Sequence, residues 1–147
     1  MSDNNSDQKD PNKTRLFFVE VWRKYQAGSV LQPLESLITG VIIQHPEYHD
    51  LLENSSSVIE MDFSEDEANP FLHMGLHITI QEQFGADRPS GFRELYEIGL
   101  ERLGDVHLLE HRVMECLGEV LWLAQRDQTM PDEAAYLEGV RRIVGFM

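Results

Sequence analysis

Six histidines occur in the chain, and all six fall into pairs four residues apart. His73 and His77 lie in NPFLHMGLH, His107 and His111 in DVHLLEHRV, and His45 and His49 in HPEYH. Neutral imidazole is a common ligand for zinc and other transition metals. On a helix, residues i and i+4 share one face with Cβ atoms about 5–6 Å apart, so two imidazoles at that spacing can bind one ion. Two such helices packed together would supply four nitrogens.

The direction of each face decides how good the candidates are. With His73 as origin and 100° per residue, His77 falls at about +40°, and Leu76, Ile80 and Phe84 fall at about −60°, −20° and +20°. This pair therefore sits in the middle of an apolar face and should point into a core. In the second pair the apolar arc of Val113, Leu117, Val120, Leu121 and Ala124 spans about 220° to 320° from His107, which leaves His107 and His111 at its rim. Glu110, at about 300°, lies inside that arc. A carboxylate on an apolar face is costly unless it is paired or coordinated. Glu115 follows one turn after His111 on the histidine side. The candidate metal ligands are thus His73, His77, His107 and His111, with Glu110 or Glu115 completing the set. Zinc is the default ion; iron, nickel and manganese fit nearly as well, because imidazole and carboxylate discriminate poorly among them. The competing expectation is that each histidine is a packed side chain with a hydrogen-bond partner. In HPEYH, Pro46 separates the two histidines and weakens the one-face argument, so His45 and His49 are second-rank candidates.

Other catalytic patterns are thin. HLLEH fits H-x-x-E-H, in which two histidines hold zinc and the glutamate is the general base, but the long downstream segment of those peptidases is missing. H-E-x-x-H is absent. So are the Glu-x-x-His pairs of ferritin-like di-iron proteins: Gly104 stands three residues before His107 and Met74 three before His77. There is no phosphate-binding glycine loop and no G-x-S-x-G. Cys116, the single cysteine, falls opposite His107 and reads as a packing residue; alone it permits no internal disulfide. No catalytic residue is assigned.

Helical punctuation places these motifs. Residues 1–12 are polar and read as a disordered tail. Helices fit Lys13 to Ala27 and Pro33 to Gln44, the latter with a β-prone patch at Ile38, Val41, Ile42 and Ile43. A short helix follows Pro46. Residues 53–68 read as an acidic loop. Asn69 and Pro70 open a helix to about Phe84, Phe92 to Leu103 forms another, Asp105 caps the longest, to about Gln125, and a last helix opens near Pro131. The expectation is an all-α, single-domain helical bundle of five to seven helices over residues 13–147.

The net charge is −14 in 147 residues. No Lys or Arg occurs between Lys24 and Arg88. Such a surface argues against nucleic-acid and anionic-membrane partners, which need a basic footprint, and it attracts cations. No apolar run is long enough to span a membrane, and the polar N-terminus lacks the apolar segment of a secretory signal. A cytoplasmic location is expected.

At NPFLHMGLHITIQEQ, DRPSG, DVHLLEHRVMECLGEVLWLAQR and PDEAAYL, with WRKYQAG and HPEYH, the sequence resembles a bacterial family of small acidic proteins classed as a domain of unknown function. The resemblance covers nearly the whole chain after the tail. It implies a compact, mostly helical domain and no established activity. The residues that match its signature blocks are His73, His77, Asp105, His107, Glu110, His111, Glu115 and Cys116. Two functions remain in contention. One is a metal-binding bundle, with hydrolytic or redox chemistry open to it; the other is a non-catalytic acidic interaction domain with packed histidines.

Overall fold

Proline and short polar side chains set where the helices begin. The computed structural model describes residues 11–54 and 69–147. The expected tail up to residue 10 and the expected acidic loop from residue 55 on lie outside the described residues. Four elements start on proline: α1 (Pro11–Gln26), α2 (Pro33–Ile43), a 3₁₀ turn (Pro46–Tyr48) and α4 (Pro70–Ala86). Proline's fixed φ suits the first helical position, where its missing N–H costs nothing. The short α3 (His49–Glu53) follows the 3₁₀ turn. Then come α5 (Phe92–Leu103), α6 (Val106–Asp127) and α7 (Glu133–Gly145). All regular elements among the described residues are helical, and the fold is all-α. None of these helices is long and apolar enough to cross a membrane. The β-prone patch of α2 is helical: Ile38, Val41 and Ile42 are buried on it, so tertiary burial overrides local strand preference.

Packing divides the chain into two compact units, meeting in sequence at Gly75 and Leu76. In the first, α1 packs on α2 and α3. Glu35 reaches back to the Gln32 N–H at 2.8 Å and pairs with Lys24 at 2.8 Å. The Gln32 N–H and then the Lys24 ammonium hold its carboxyl below the usual range. Trp22 packs its ring at a tilt against His49, 4.5 Å between ring centroids, and donates to Glu53 at 3.4 Å.

In the second unit, α5, α6 and α7 pack on one another. Their core contains Phe92, Tyr96, Leu109, Val113, Leu117, Tyr136, Val140 and Val144, and Ile80 of α4 joins it. At Gly99 the helices approach closely. A Cβ there would meet Leu109 Cδ1 at 2.8 Å and Val144 Cγ2 at 3.2 Å. The turn between α4 and α5 is clasped from both sides. Asp87 Oδ1 accepts the Gly91 and Arg93 N–H groups at 3.2 and 3.0 Å. Arg93 in turn donates to the Phe84 and Gly85 carbonyls at 2.9 and 2.6 Å. The end of α4 is thereby fixed against the start of α5.

Candidate metal centre

Two helix starts place the histidines. Asn69 Oδ1 accepts the Phe71 N–H at 2.9 Å and starts α4, which carries His73 and then His77 one turn later. Asp105 Oδ1 accepts the Leu108 N–H at 3.1 Å and starts α6, whose second residue is His107. Capping satisfies N–H groups that have no partner within the helix, so both histidine helices are held firmly near the residues that matter.

In the second unit three imidazoles come together. Ring centroids lie 4.9 Å apart for His77 and His107, 5.1 Å for His77 and His111, and 4.1 Å for His107 and His111. Each ring offers one nitrogen, and these nitrogens lie within 4.8 Å of one another. Zinc–nitrogen bonds of about 2.0–2.1 Å in a tetrahedral shell space the ligands about 3.4 Å apart, so modest side-chain shifts would gather all three on one ion. A cluster of histidines here could hold a metal. His77 is fully buried, whereas His107 and His111 are half-buried. His77 and the rim pair follow the helical faces, but His73, expected on the same apolar face as His77, is only half-buried.

Glu110 is also fully buried, inside the apolar arc as expected. The structure places it behind His77 rather than among the ring nitrogens. Its Oε1 accepts from His77 Nδ1 at 2.8 Å and from Gln81 Nε2 at 3.3 Å, and its Oε2 accepts from Tyr96 Oη at 2.5 Å. Three donors compensate the burial of the carboxylate, which would otherwise be costly. Burial, followed by the hydrogen bond to Glu110 and its charge, raises the Tyr96 phenol far above its usual range, so it remains a donor. A carboxylate oxygen accepts; His77 Nδ1 therefore carries the proton, and Nε2 is the nitrogen that would bind an ion. This placement also removes Glu110 from the side of a bound ion that a peptidase base must occupy. Glu115 is exposed and lines a shallow cleft with Leu108, His111, Arg112, Ile143 and Phe146; it is not among the clustered donors. Cys116 faces Gly139 of α7, and burial followed by the charges of Glu115 and Glu119 raises its thiol.

In the first unit the HPEYH histidines separate. His45 is buried, packs edge-on against His73 at 5.0 Å, and donates from Nδ1 to the Val41 carbonyl at 2.7 Å. The ligand nitrogens of His45 and His73 lie within 4.8 Å of each other. His49 instead donates from Nε2 to the Ile42 carbonyl at 2.8 Å and packs at a tilt against Trp22. His49 is not among the clustered donors.

The model of the family described as "Domain of unknown function (DUF1841)" matches residues 10–142, most of the chain and every histidine in it. The chain belongs to the DUF1841 family. No curated protein and no solved structure matches it. DUF1841 membership carries no activity with it, so function must be argued from the site. Two site residues of this DUF1841 chain escape a spacing argument: Tyr96 and Gln81, which hold Glu110. A buried carboxylate demands donors, and that demand was the one signal available. It does not say which helix supplies them.

Proposed function

We propose that this DUF1841 chain binds a transition-metal ion through His77, His107 and His111. His73 lies one turn before His77 on the same helix, with His45 packed on its ring. The observation that carries the reading is three imidazoles whose nitrogens lie within 4.8 Å of one another, one of them oriented by a fully buried carboxylate. Apolar side chains would fill the same volume without desolvating three polar rings. Carboxylate–histidine pairs of this kind commonly stand behind metal ligands. Zinc is the default, and iron, nickel or manganese suit the same donors. A coordination position left to water would support hydrolytic or redox chemistry. The acidic surface disfavours nucleic-acid and anionic-membrane partners, and a cytoplasmic setting suits a chain with one cysteine.

The test is elemental analysis of untagged protein purified without chelator, beside the His77→Ala/His107→Ala double variant. Near-stoichiometric metal in the wild type, lost in a folded variant, is the expected result. The absence of metal from both, before and after reconstitution, would leave the second reading: an acidic interaction domain with packed histidines. That reading has its own observation, a Trp122 that is 61% exposed beside the exposed Leu121.

A further inference from the structure

Resting on the metal reading, we propose that Glu110 is a positioning residue for the centre, held in place by Tyr96 and Gln81, and that it selects the His77 tautomer able to bind metal through Nε2. The geometry is a continuous chain of donors and acceptors. Tyr96 Oη donates to one carboxylate oxygen at 2.5 Å; the other accepts from His77 Nδ1 at 2.8 Å and from Gln81 at 3.3 Å. His77 and Glu110 are both 0% exposed, so water does not compete for these bonds.

Three consequences follow from the chemistry. A neutral imidazole carries one proton, and the nitrogen without it is the ligand. Fixing the proton on Nδ1 removes the cost of choosing the tautomer when an ion arrives. The carboxylate also makes the imidazole a stronger electron donor, which strengthens the metal bond. Tyr96, whose α5 is clasped to α4 through Arg93 and Asp87, stops the carboxylate from rotating towards the ion. Glu110 therefore acts through His77 and does not enter the coordination shell.

The informative change is Glu110→Gln, which is almost isosteric. A carboxamide is a donor on one side. If its NH₂ faces His77, Nδ1 becomes an acceptor and the proton moves to Nε2, where it blocks coordination. If its NH₂ faces Tyr96, the phenol must give up the carboxylate bond. Cobalt(II), whose visible bands report coordination number, is the probe. The expected result is an increase of about 10–100-fold in the cobalt dissociation constant for Glu110→Gln, with coordination number and circular dichroism unchanged. Tyr96→Phe should move it in the same direction by less.

A second readout needs no metal. Nitrogen-15 long-range correlation spectra of the apo protein, above the imidazole titration range, should show His77 protonated at Nδ1 in the wild type. Glu110→Gln should shift the pattern towards Nε2 protonation. A wild-type His77 protonated at Nε2 would overturn the proposal. Equal cobalt affinity in wild type and Glu110→Gln would do the same, as would loss of an oxygen ligand from the metal's X-ray absorption spectrum in the variant. Failure of the wild type to bind cobalt would remove the metal reading and this role with it, and the nitrogen shifts would still show whether Glu110 sets the tautomer.

Discussion

His45 and His49 carry the same spacing as the other histidine pairs, yet their surroundings divide them. His45 is buried against His73. His49 spends its Nε2 proton on the Ile42 carbonyl and its ring on Trp22. The proline between them starts a 3₁₀ turn, so the spacing no longer implies a shared face. Conversely, the burial of Glu110 was legible, because a helical wheel fixes which residues of one helix face its apolar side. Its partners were not legible, because contacts between helices depend on placement that one helix does not encode. A prediction belongs to this scale. His49→Ala should leave metal content unchanged and lower stability by about 1–2 kcal/mol, through the lost ring contact and hydrogen bond. Urea unfolding with elemental analysis on the same sample checks it; loss of metal would return His49 to the ligand set.

Most helix starts are legible in the sequence because each has a local chemical cause. Pro33 and Pro70 open α2 and α4, and Asp105 caps α6 as expected. The span of α5 is the one read from its sequence, closed by Gly104 in a left-handed conformation at φ 71°. The ends fared less well. Helix α6 runs to Asp127, past the expected Gln125, and Gln128 takes the left-handed position at φ 56°; one start departs too, α1 beginning at Pro11 rather than Lys13. How closely two helices approach was invisible in the sequence, and Gly99 is the case in point. Valine there would add two methyls beyond a Cβ that already meets Leu109 Cδ1 at 2.8 Å. Leu109 is fully buried and cannot swing away, and Val144 has a stiff branched side chain. Helix propensity favours valine over glycine by less than about 1 kcal/mol, whereas overpacking costs about 1–3 kcal/mol. Gly99→Val should therefore destabilise the protein by roughly 1–2 kcal/mol net. Because Leu109 adjoins Glu110, it should also weaken metal binding. A denaturation midpoint equal to that of the wild type would mean that α5 can shift without cost.

At the scale of the whole molecule, 26 acidic residues face 12 Lys and Arg. Like charges repel within a compact chain and draw cations towards it. The two effects respond to salt with opposite sign. The screening length falls from about 30 Å at 0.01 M to about 8 Å at 0.15 M ionic strength, so repulsion that spans the molecule at low salt becomes local at physiological salt. The metal-free protein should therefore melt at a higher temperature as sodium chloride rises across that range. The Lys24–Glu35 pair, attractive and partly exposed, works against this trend, but one pair is outweighed by an excess of 14 negative charges. Association of a divalent cation should weaken over the same range, because the field that gathers it is screened. Melting curves and cobalt titrations in matched buffers test both. A melting temperature that falls with salt would mean that paired charges, not net repulsion, set the electrostatic balance. Cobalt affinity indifferent to salt would mean that the histidines and the buried Glu110, rather than the acidic surface, supply the whole of the attraction.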